Sequence, residues 1–324
     1  MIDFSKAQHI INHEISAINI SREPVELYEP VKYILSIGGK RIRPALVLMA
    51  CSLFSGQITH AVRPALAIEL FHSFTLLHDD IMDNSVLRRN KPTVHEKWNR
   101  NIAILSGDVM SILSYKYIAD CPYGVLPVVL ELFTETALKV CEGQQYDLDF
   151  ETRNDIRVDD YLKMIELKTS VLIAASLKLG AILGGASLAD ADLLYEFGRN
   201  LGIAFQLRDD MLDAYGDTAK FGKKIGTDII SNKKTYLVLK AIEIADKKTR
   251  SQLIKLISSR DFNPEEKISR VINIFNQLGI KTITEEESKN YYELALRTLG
   301  MVSVNNDSKS AIRKFAAQLM KREQ

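Results

Sequence analysis

Two five-residue runs of one form constrain this chain more than anything else in it: Asp79-Asp80-Ile81-Met82-Asp83 and Asp209-Asp210-Met211-Leu212-Asp213. Each closes a long apolar-periodic stretch. On a helix the first and last aspartates of each run, four apart in the sequence, share a face. Three carboxylates so close together repel one another and disfavour the helix unless a cation sits among them. Two such patches, on segments apolar enough to be buried, predict facing walls of one polar cleft. A hard divalent cation suits it, magnesium first, because magnesium prefers oxygen ligands and completes its shell with water and substrate phosphates. The other reading, two solvated helix ends with incidental acid runs, sits badly with the shared spacing and the apolar approaches.

Helical periodicity dominates the rest of the chain, and alternating strand patterns are nearly absent. Helices are expected at 3–19, 24–36, 44–55, 60–84, 92–98, 101–119, 124–150, 158–184, 190–214, 233–245, 247–259, 264–279, 285–300 and 307–322. Asn306-Asp307 is placed to cap the last of these, and Pro44 suits a first turn. No Ser/Gly/Pro-rich linker divides the chain, so residues 1–324 read as a single all-α domain, a bundle whose longest helices carry both acid runs. The 46% hydrophobic and 26% charged content is that of a globular protein. A formal net charge of +1 supplies no global field for nucleic acid or an anionic membrane. Cys51, Cys121 and Cys141 are too scattered for a disulfide framework or thiolate metal site, which points to a reducing, cytoplasmic setting. The N-terminus has no apolar core of a secretory signal. Val171–Ala189 is long enough to span a membrane and contains Gly180-x-x-x-Gly184. Lys178 near its middle, and the lack of a second span, favour a buried helix lining a greasy cavity over stable insertion.

Cations gather near both acid runs. Gly38-Gly39-Lys40-Arg41-Ile42-Arg43-Pro44 joins a free backbone, three cations and an expected helix start, a combination suited to a diphosphate or simply to a basic helix cap. It lacks the nucleotide P-loop pattern. His72 falls on the stripe of Asp79 and Asp83, either donating to phosphate or lying as a satisfied buried histidine. Glu69-x-x-His72 raises a di-iron carboxylate bundle, but no second such pair exists in the sequence. Arg88-Arg89-Asn90 follows the first run, where paired arginines suit phosphate oxygens bridging to metal. Lys168-Thr169 interrupts an apolar helix, and its lysine needs an anion or a carboxylate partner. Gln206 shares the face of Asp209 and Asp213. Lys223, Lys224 and Lys233 lie beyond the second run, in a loop with Gly222 and Gly226, as phosphate ligands or as solvated surface. The floor of the cleft is expected to be apolar, lined by Phe71, Phe74, Leu76 and the small-residue run 171–186. A metal–phosphate mouth over a greasy depth suits a substrate with a diphosphate head and a hydrocarbon tail. No Ser/His/Asp triad or cysteine–histidine pair fits the layout, so metal acting as Lewis acid is the expected strategy.

In this order, GGKRIRP, LLHDDIMD with RR after it, GD at Gly107-Asp108, EGQ at Glu142-Gly143-Gln144, KT, FQLRDDMLD, GKKIGTD and NKKT resemble the trans-isoprenyl diphosphate synthases, or polyprenyl synthetases, over most of the chain. The resemblance implies an all-α bundle of long helices around a deep hydrophobic cavity, usually a homodimer. It also implies magnesium-dependent head-to-tail condensation of isopentenyl diphosphate with an allylic diphosphate. On these positions it assigns two magnesium ions to Asp79 and Asp83 and a third to Asp209, all bound with diphosphate, with Asp80, Asp210 and Asp213 in support. Lys40, Arg43, His72 and Arg89 take the isopentenyl diphosphate role. Arg88, Lys168, Lys223 and Lys233 take the clamp on the allylic diphosphate. Thr169 and Gln206 place oxygen dipoles near the allylic cation. Asn90, where many members have glycine, and Ser170, where alanine is common, depart from the pattern without touching a proposed ligand.

Product length is expected from Phe74, which stands five residues before Asp79, about 7.5 Å along a helix axis. In the family a bulky aromatic there resembles a short-chain stop, and Thr75 is unlike the aromatic of animal-type farnesyl synthases. Geranylgeranyl diphosphate is then the first expectation and farnesyl diphosphate the second, unless Phe74 only packs the core. The alternatives are a longer-chain synthase, a non-catalytic subunit of a heteromeric synthase, whose acid runs should have eroded, and a terpene cyclase, which would not need an isopentenyl site.

Overall fold

The computed structural model describes residues 1–216, 226–259 and 262–321. Lys223, with Gly222 and Lys224, lies outside the described residues. The described residues are overwhelmingly helical, as the periodicity predicts, and their contacts cluster into two compact units.

The first unit takes Met1–Glu135, Ala175–Tyr195 and Ser303–Ile312. It opens with α1 (Phe4–Ala17), whose first turn is capped by the Asp3 carboxylate accepting from the Lys6 amide, and which buries Ala7 and Ile11. Next come α2 (Val25–Ser36) and α3 (Ile42–Phe54). Helix α3 is apolar all round, with every residue from Pro44 to Cys51 buried, as befits a core helix. It starts two residues before the expected Pro44. The long α4 (Thr59–Met82) packs on it and carries the first acid run at its C-terminal end. A feature absent from the sequence reading follows, a two-residue antiparallel ribbon of β1 (Leu87–Arg88) and β2 (Lys91–Pro92), with Arg88 opposite Lys91. The ribbon leads through α5 (Val94–Lys97) to α6 (Arg100–Ile118), which Asn99 caps by accepting from the Ile102 amide, and which packs along α4.

Helix α7 (Leu126–Thr152) follows a single 3-10 turn at Tyr123–Val125. The predicted helix 158–184 runs on as expected, but with a π turn (Glu166–Ser170) inside it that joins α8 (Val158–Ile165) to α9 (Val171–Leu183). Gly180 of α9 lies against the Val47 carbonyl of α3, where any side chain would collide, so the small-residue pair of the suspected span serves close helix packing. Among the described residues no helix is long and apolar enough to cross a membrane. Lys178 is paired with Asp192 on α10 (Leu188–Tyr215), the helix that ends in the second acid run.

The second unit takes Thr136–Ala174, Glu196–Val302 and Arg313–Gln324. One of its cores gathers Phe150, Tyr161, Ile165, Ile203 and Leu207 with Tyr236 and Leu239. The other joins α12 (Tyr236–Ile244), α13 (Lys247–Ser258), α14 (Pro264–Gln277) and α15 (Ile280–Met301) through Leu237, Leu253, Val271 and Phe275. A short α11 (Thr227–Ile230), not expected from the sequence, comes first. Helix α15 begins at Ile280, five residues earlier than predicted, directly after Gly279 turns the chain at φ 67°. The last helix, α16 (Asn306–Met320), takes its cap from Asn305, whose side chain accepts from the Ser308 amide, rather than from Asn306-Asp307.

Candidate active site

In the first unit the three aspartates of the run have separate fates. Asp80 points inward and is only 3% exposed, and Arg88 takes both of its oxygens, Nε to Oδ2 at 2.7 Å and Nη2 to Oδ1 at 2.8 Å. Burial, the largest influence, still pushes the Asp80 carboxyl upward, with Arg88 opposing. Asp79 is partly exposed, with the Arg88 guanidinium at 3.8 Å, and Asp83 is exposed. Arg88 reaches Asp80 because the ribbon turns back through Arg89 and Asn90, both at positive φ (52° and 61°), the backbone of a two-residue type I′ hairpin. Asparagine tolerates that conformation nearly as glycine does, which accounts for Asn90.

The Gly38–Pro44 segment wraps the N-terminal end of α3. Gly38 and Gly39 take φ of 89° and 148°, and the Arg89 guanidinium lies over Gly39, so a side chain there would have to displace it. Lys40 and Arg89 are exposed. Arg43 Nη1 lies 3.1 Å from His72 Nε2, while Arg43 Nε is buried and finds no acceptor among the described residues. Burial lowers the Arg43 pKa to about 10, with Glu69 opposing. Burial first, then Arg43, Arg89, Arg88 and Arg41, hold His72 well below its ordinary value, so its imidazole is neutral near pH 7. The Glu69-x-x-His72 pair is no metal site, since Glu69 is spent on Arg41 at 2.5 Å. Phe74 is partly buried, its ring 5.5 Å from Phe71 and 4.7 Å from the His78 imidazole, and Phe71 itself packs edge-on to Phe133. Thr75 returns its hydroxyl to the His72 carbonyl at 2.8 Å.

In the second unit the π turn carries Lys168 and Thr169. Gly143 on α7 sits against the backbone of Leu167 and Lys168, and no side chain would fit between them. A widened turn splays these two side chains away from regular helical positions, a common use of such bulges. Lys168 Nζ lies 2.6 Å from Asp147, the carboxylate partner that its apolar surroundings demand. Thr169 Oγ1 donates to Gln206 Oε1 at 3.4 Å, and Gln206 Nε2 donates to Asp210 Oδ1 at 3.0 Å. The Tyr161 hydroxyl donates to the other oxygen of Asp210. Burial pushes the Asp210 carboxyl up to about 7, with the neighbouring Asp228 and Asp209 adding to it and the two donors opposing. Tyr161 is pushed well above its ordinary value, by burial first, and stays a phenol. Asp213 caps α11, accepting from the Thr227 hydroxyl and from the Asp228 amide at 3.0 Å. Asp209 is partly buried. Lys233 is exposed on a segment that Lys234 ties to the Phe150 carbonyl at 2.7 Å and to the Arg153 carbonyl, at the C-terminal end of α7.

Among the described residues no three His, Cys, Asp or Glu side chains stand together as a ready-made metal cage. The donor set nevertheless fits magnesium, which keeps several waters and is held by one or two carboxylates plus substrate phosphates. Asp79, Asp83 and Asp209 carry hard oxygens of that kind, and Asp80, Asp210 and Asp213 accept hydrogen bonds from protein donors. A cavity of about 330 Å³ in the first unit, lined by Ile18, Arg22, Arg63, Leu70, Leu113 and Tyr117 among others, holds none of the predicted site residues. Sequence reasoning missed Arg41 as a buried anchor and also Asp147 and Tyr161. Only Asp147 left a signal, four residues after Gly143 on one face of α7.

The sequence profile of the polyprenyl synthetase family matches residues 24–275. The short chain isoprenyl diphosphate synthase of Methanothermobacter thermautotrophicus is 36% identical over 301 residues, 93% of this chain and 91% of that protein. The geranylgeranyl diphosphate synthase of Sulfolobus acidocaldarius is 34% identical over 319 residues, 97% of this chain and 96% of its own. A crystal structure of a geranylgeranyl pyrophosphate synthase superimposes with a TM-score of 0.95 at 42% identity, covering 100% of both chains.

Proposed function

The chain belongs to the polyprenyl synthetase family, and we propose on that premise that it condenses isopentenyl diphosphate head-to-tail with an allylic diphosphate of five to fifteen carbons. The product is a short-chain all-trans prenyl diphosphate. The observation that carries the reading lies within the first unit, where the helix that ends in Asp79–Asp83 shares its packing with a basic segment in which buried Arg43 Nε finds no acceptor among the described residues. Asp79 and Asp83 hold magnesium in the first unit, and Asp209 holds it in the second, bound together with diphosphate and three ions in all. Bound there, magnesium neutralises the departing diphosphate as a Lewis acid.

The chain's own residues do the rest. Lys40, Arg43 and Arg89 bind isopentenyl diphosphate, and neutral His72 donates one hydrogen bond to it. Lys168, Lys233, Lys223 and Arg88 bind the allylic diphosphate, with Arg88 keeping Nε and Nη2 on Asp80 and turning its other edge to the ligand. Thr169 and Gln206, linked to each other and steadied by Asp210, aim oxygen dipoles at the developing allylic charge. The freed diphosphate takes the final proton.

The names borne by the relatives favour a short product, geranylgeranyl diphosphate first and farnesyl diphosphate second. Phe74, backed by the Phe71–Phe133 stack, is the residue proposed to stop the growing tail. Phe74→Ala should lengthen the product by at least one isoprene unit; an unchanged length removes Phe74 as the stop. Ile104, Leu105 and Ile112 on α6, with Val128 and Leu130 on α7, are large apolar side chains exposed in the first unit, which supports a homodimer. Cys51, Cys121 and Cys141 are all free thiols, consistent with a cytoplasmic setting. The profile match, which runs continuously through both units, supports reading 1–324 as one all-α domain. The test is incubation with isopentenyl diphosphate, each allylic primer and magnesium, followed by chromatography. A discrete longer prenyl diphosphate is expected, and a cyclic hydrocarbon or no product would refute the reading.

A further inference from the structure

Arg41 and Glu69 form an ion pair at 2.5 Å whose side chains are only 4% and 6% exposed, and neither touches a proposed substrate position. The pair is tied in on every side. Arg41 Nη2 donates to the Leu35 carbonyl at 2.6 Å, near the C-terminal end of α2, and Nε donates to the Asn12 side-chain oxygen Oδ1 of α1 at 3.4 Å. Gln8 of α1 donates to the carbonyl of the preceding Lys40 at 2.8 Å. Arg41 itself takes the left-handed backbone, φ 49° and ψ 37°, at the cap of α3, a conformation that a side chain disfavours and that its surroundings must enforce.

Buried ion pairs contribute little net stability, because desolvation consumes most of the attraction; their best-attested use is to fix one arrangement among several. Here the arrangement is specific. Arg41 and Arg43, two apart at the start of α3, meet Glu69 and His72, three apart on one face of α4. The buried pair therefore sets the register in which Arg43 meets His72, and the left-handed turn at Arg41 sends Lys40 to the exposed side. We infer that the Arg41–Glu69 pair is a positioning device for the isopentenyl diphosphate subsite, fixing Lys40, Arg43 and His72 in one constellation. The inference rests on the reading of that subsite given above. It also explains why Glu69-x-x-His72 has the spelling of a metal motif without being one.

The test separates positioning from mere stability. Arg41→Met and Glu69→Gln each leave a buried charge alone and should lower the melting temperature. The double variant Arg41→Met/Glu69→Leu removes both charges and should recover most of that loss, as paired replacements of buried ions do. With wild-type melting restored, the double variant should still bind isopentenyl diphosphate about tenfold to a hundredfold more weakly by calorimetry. Its KM for that substrate should rise in step, while the KM for the allylic primer stays within about twofold, the pattern of lost substrate binding at one subsite. Normal isopentenyl diphosphate binding in a stable double variant would overturn the inference, as would equal losses for both substrates. Wild-type protein that bound no isopentenyl diphosphate would instead bring down the subsite reading itself, and the inference with it.

Discussion

The two acid runs are spelled alike and are held differently. In the first unit the middle aspartate, Asp80, is neutralised by a charge, the bidentate guanidinium of Arg88. In the second unit the middle aspartate, Asp210, is held by two neutral donors, Tyr161 and Gln206, and burial lifts its carboxyl to about 7. The last positions differ as well: Asp83 is exposed, whereas Asp213 is folded back as the cap of the next helix. A motif repeated in sequence thus fixes where its first carboxylate stands, not how the inner one is kept buried or whether the last one stays in solvent.

The largest expected effect tests what the runs share. Asp79→Ala and Asp209→Ala should each lower turnover by about three orders of magnitude or more, because a ligand to a leaving-group cation is lost. Circular dichroism should show that each variant still folds, so that the loss is read as one of chemistry. Normal turnover in either variant would break the parallel between them.

Next comes the difference. Arg88→Met strands the buried Asp80 charge and should cost about 3 kcal/mol in a urea titration. Tyr161→Phe removes one neutral donor from a carboxyl already inclined to protonate, and should cost about 1–2 kcal/mol. Equal losses would erase the contrast drawn between charge pairing and dipole pairing.

Titration of the metal-free protein should sharpen the contrast by sign. Asp210 has its carboxyl raised on folding, so its contribution to stability is full below about pH 4 and is lost as pH rises through about 7. His72, crowded by guanidinium groups, is lowered on folding, so its contribution is full above about pH 6.5 and is lost as pH falls further. Asp210→Asn should therefore remove a fall in melting temperature as pH rises from about 4 to 7, and His72→Asn a fall as pH drops below about 6.5. The smallest effect concerns the last positions: Asp213→Ala should cost about 1 kcal/mol as a lost helix cap, and Asp83→Ala about half of that or less.

Much of this was legible in the sequence because it depended on local spacing. The helices followed the apolar period, spacing alone put Asp79 with Asp83 and Gln206 with Asp209 on shared helix faces, and Lys168 stood out as a charge in an apolar run. What stayed hidden depended on long-range partners or small backbone departures. The π turn at Glu166–Ser170, inside the expected helix 158–184, lies where Gly143 of another helix comes close to its backbone, a contact that local spacing does not reveal. The hairpin at Arg89-Asn90 is too short to leave an alternating pattern. Arg41 read as a third surface cation because nothing local says that Glu69, twenty-eight residues away, draws it inward. Tyr161 was one aromatic among many until Asp210 gave it a role.

The central claim is that Asp79, Asp83 and Asp209 hold divalent ions, while the inner aspartates, Asp80 and Asp210, belong to the protein. Crystals grown with manganese and an unreactive allylic diphosphate analogue test it directly, because manganese is located by its anomalous signal. The account predicts ions at about 2.0–2.2 Å from oxygens of Asp79, Asp83 and Asp209 and from the diphosphate, with Arg88 and Tyr161 still accounting for the inner carboxylates. Ions coordinated by Asp80 or Asp210 instead, or a diphosphate bound with no metal at either run, would contradict it.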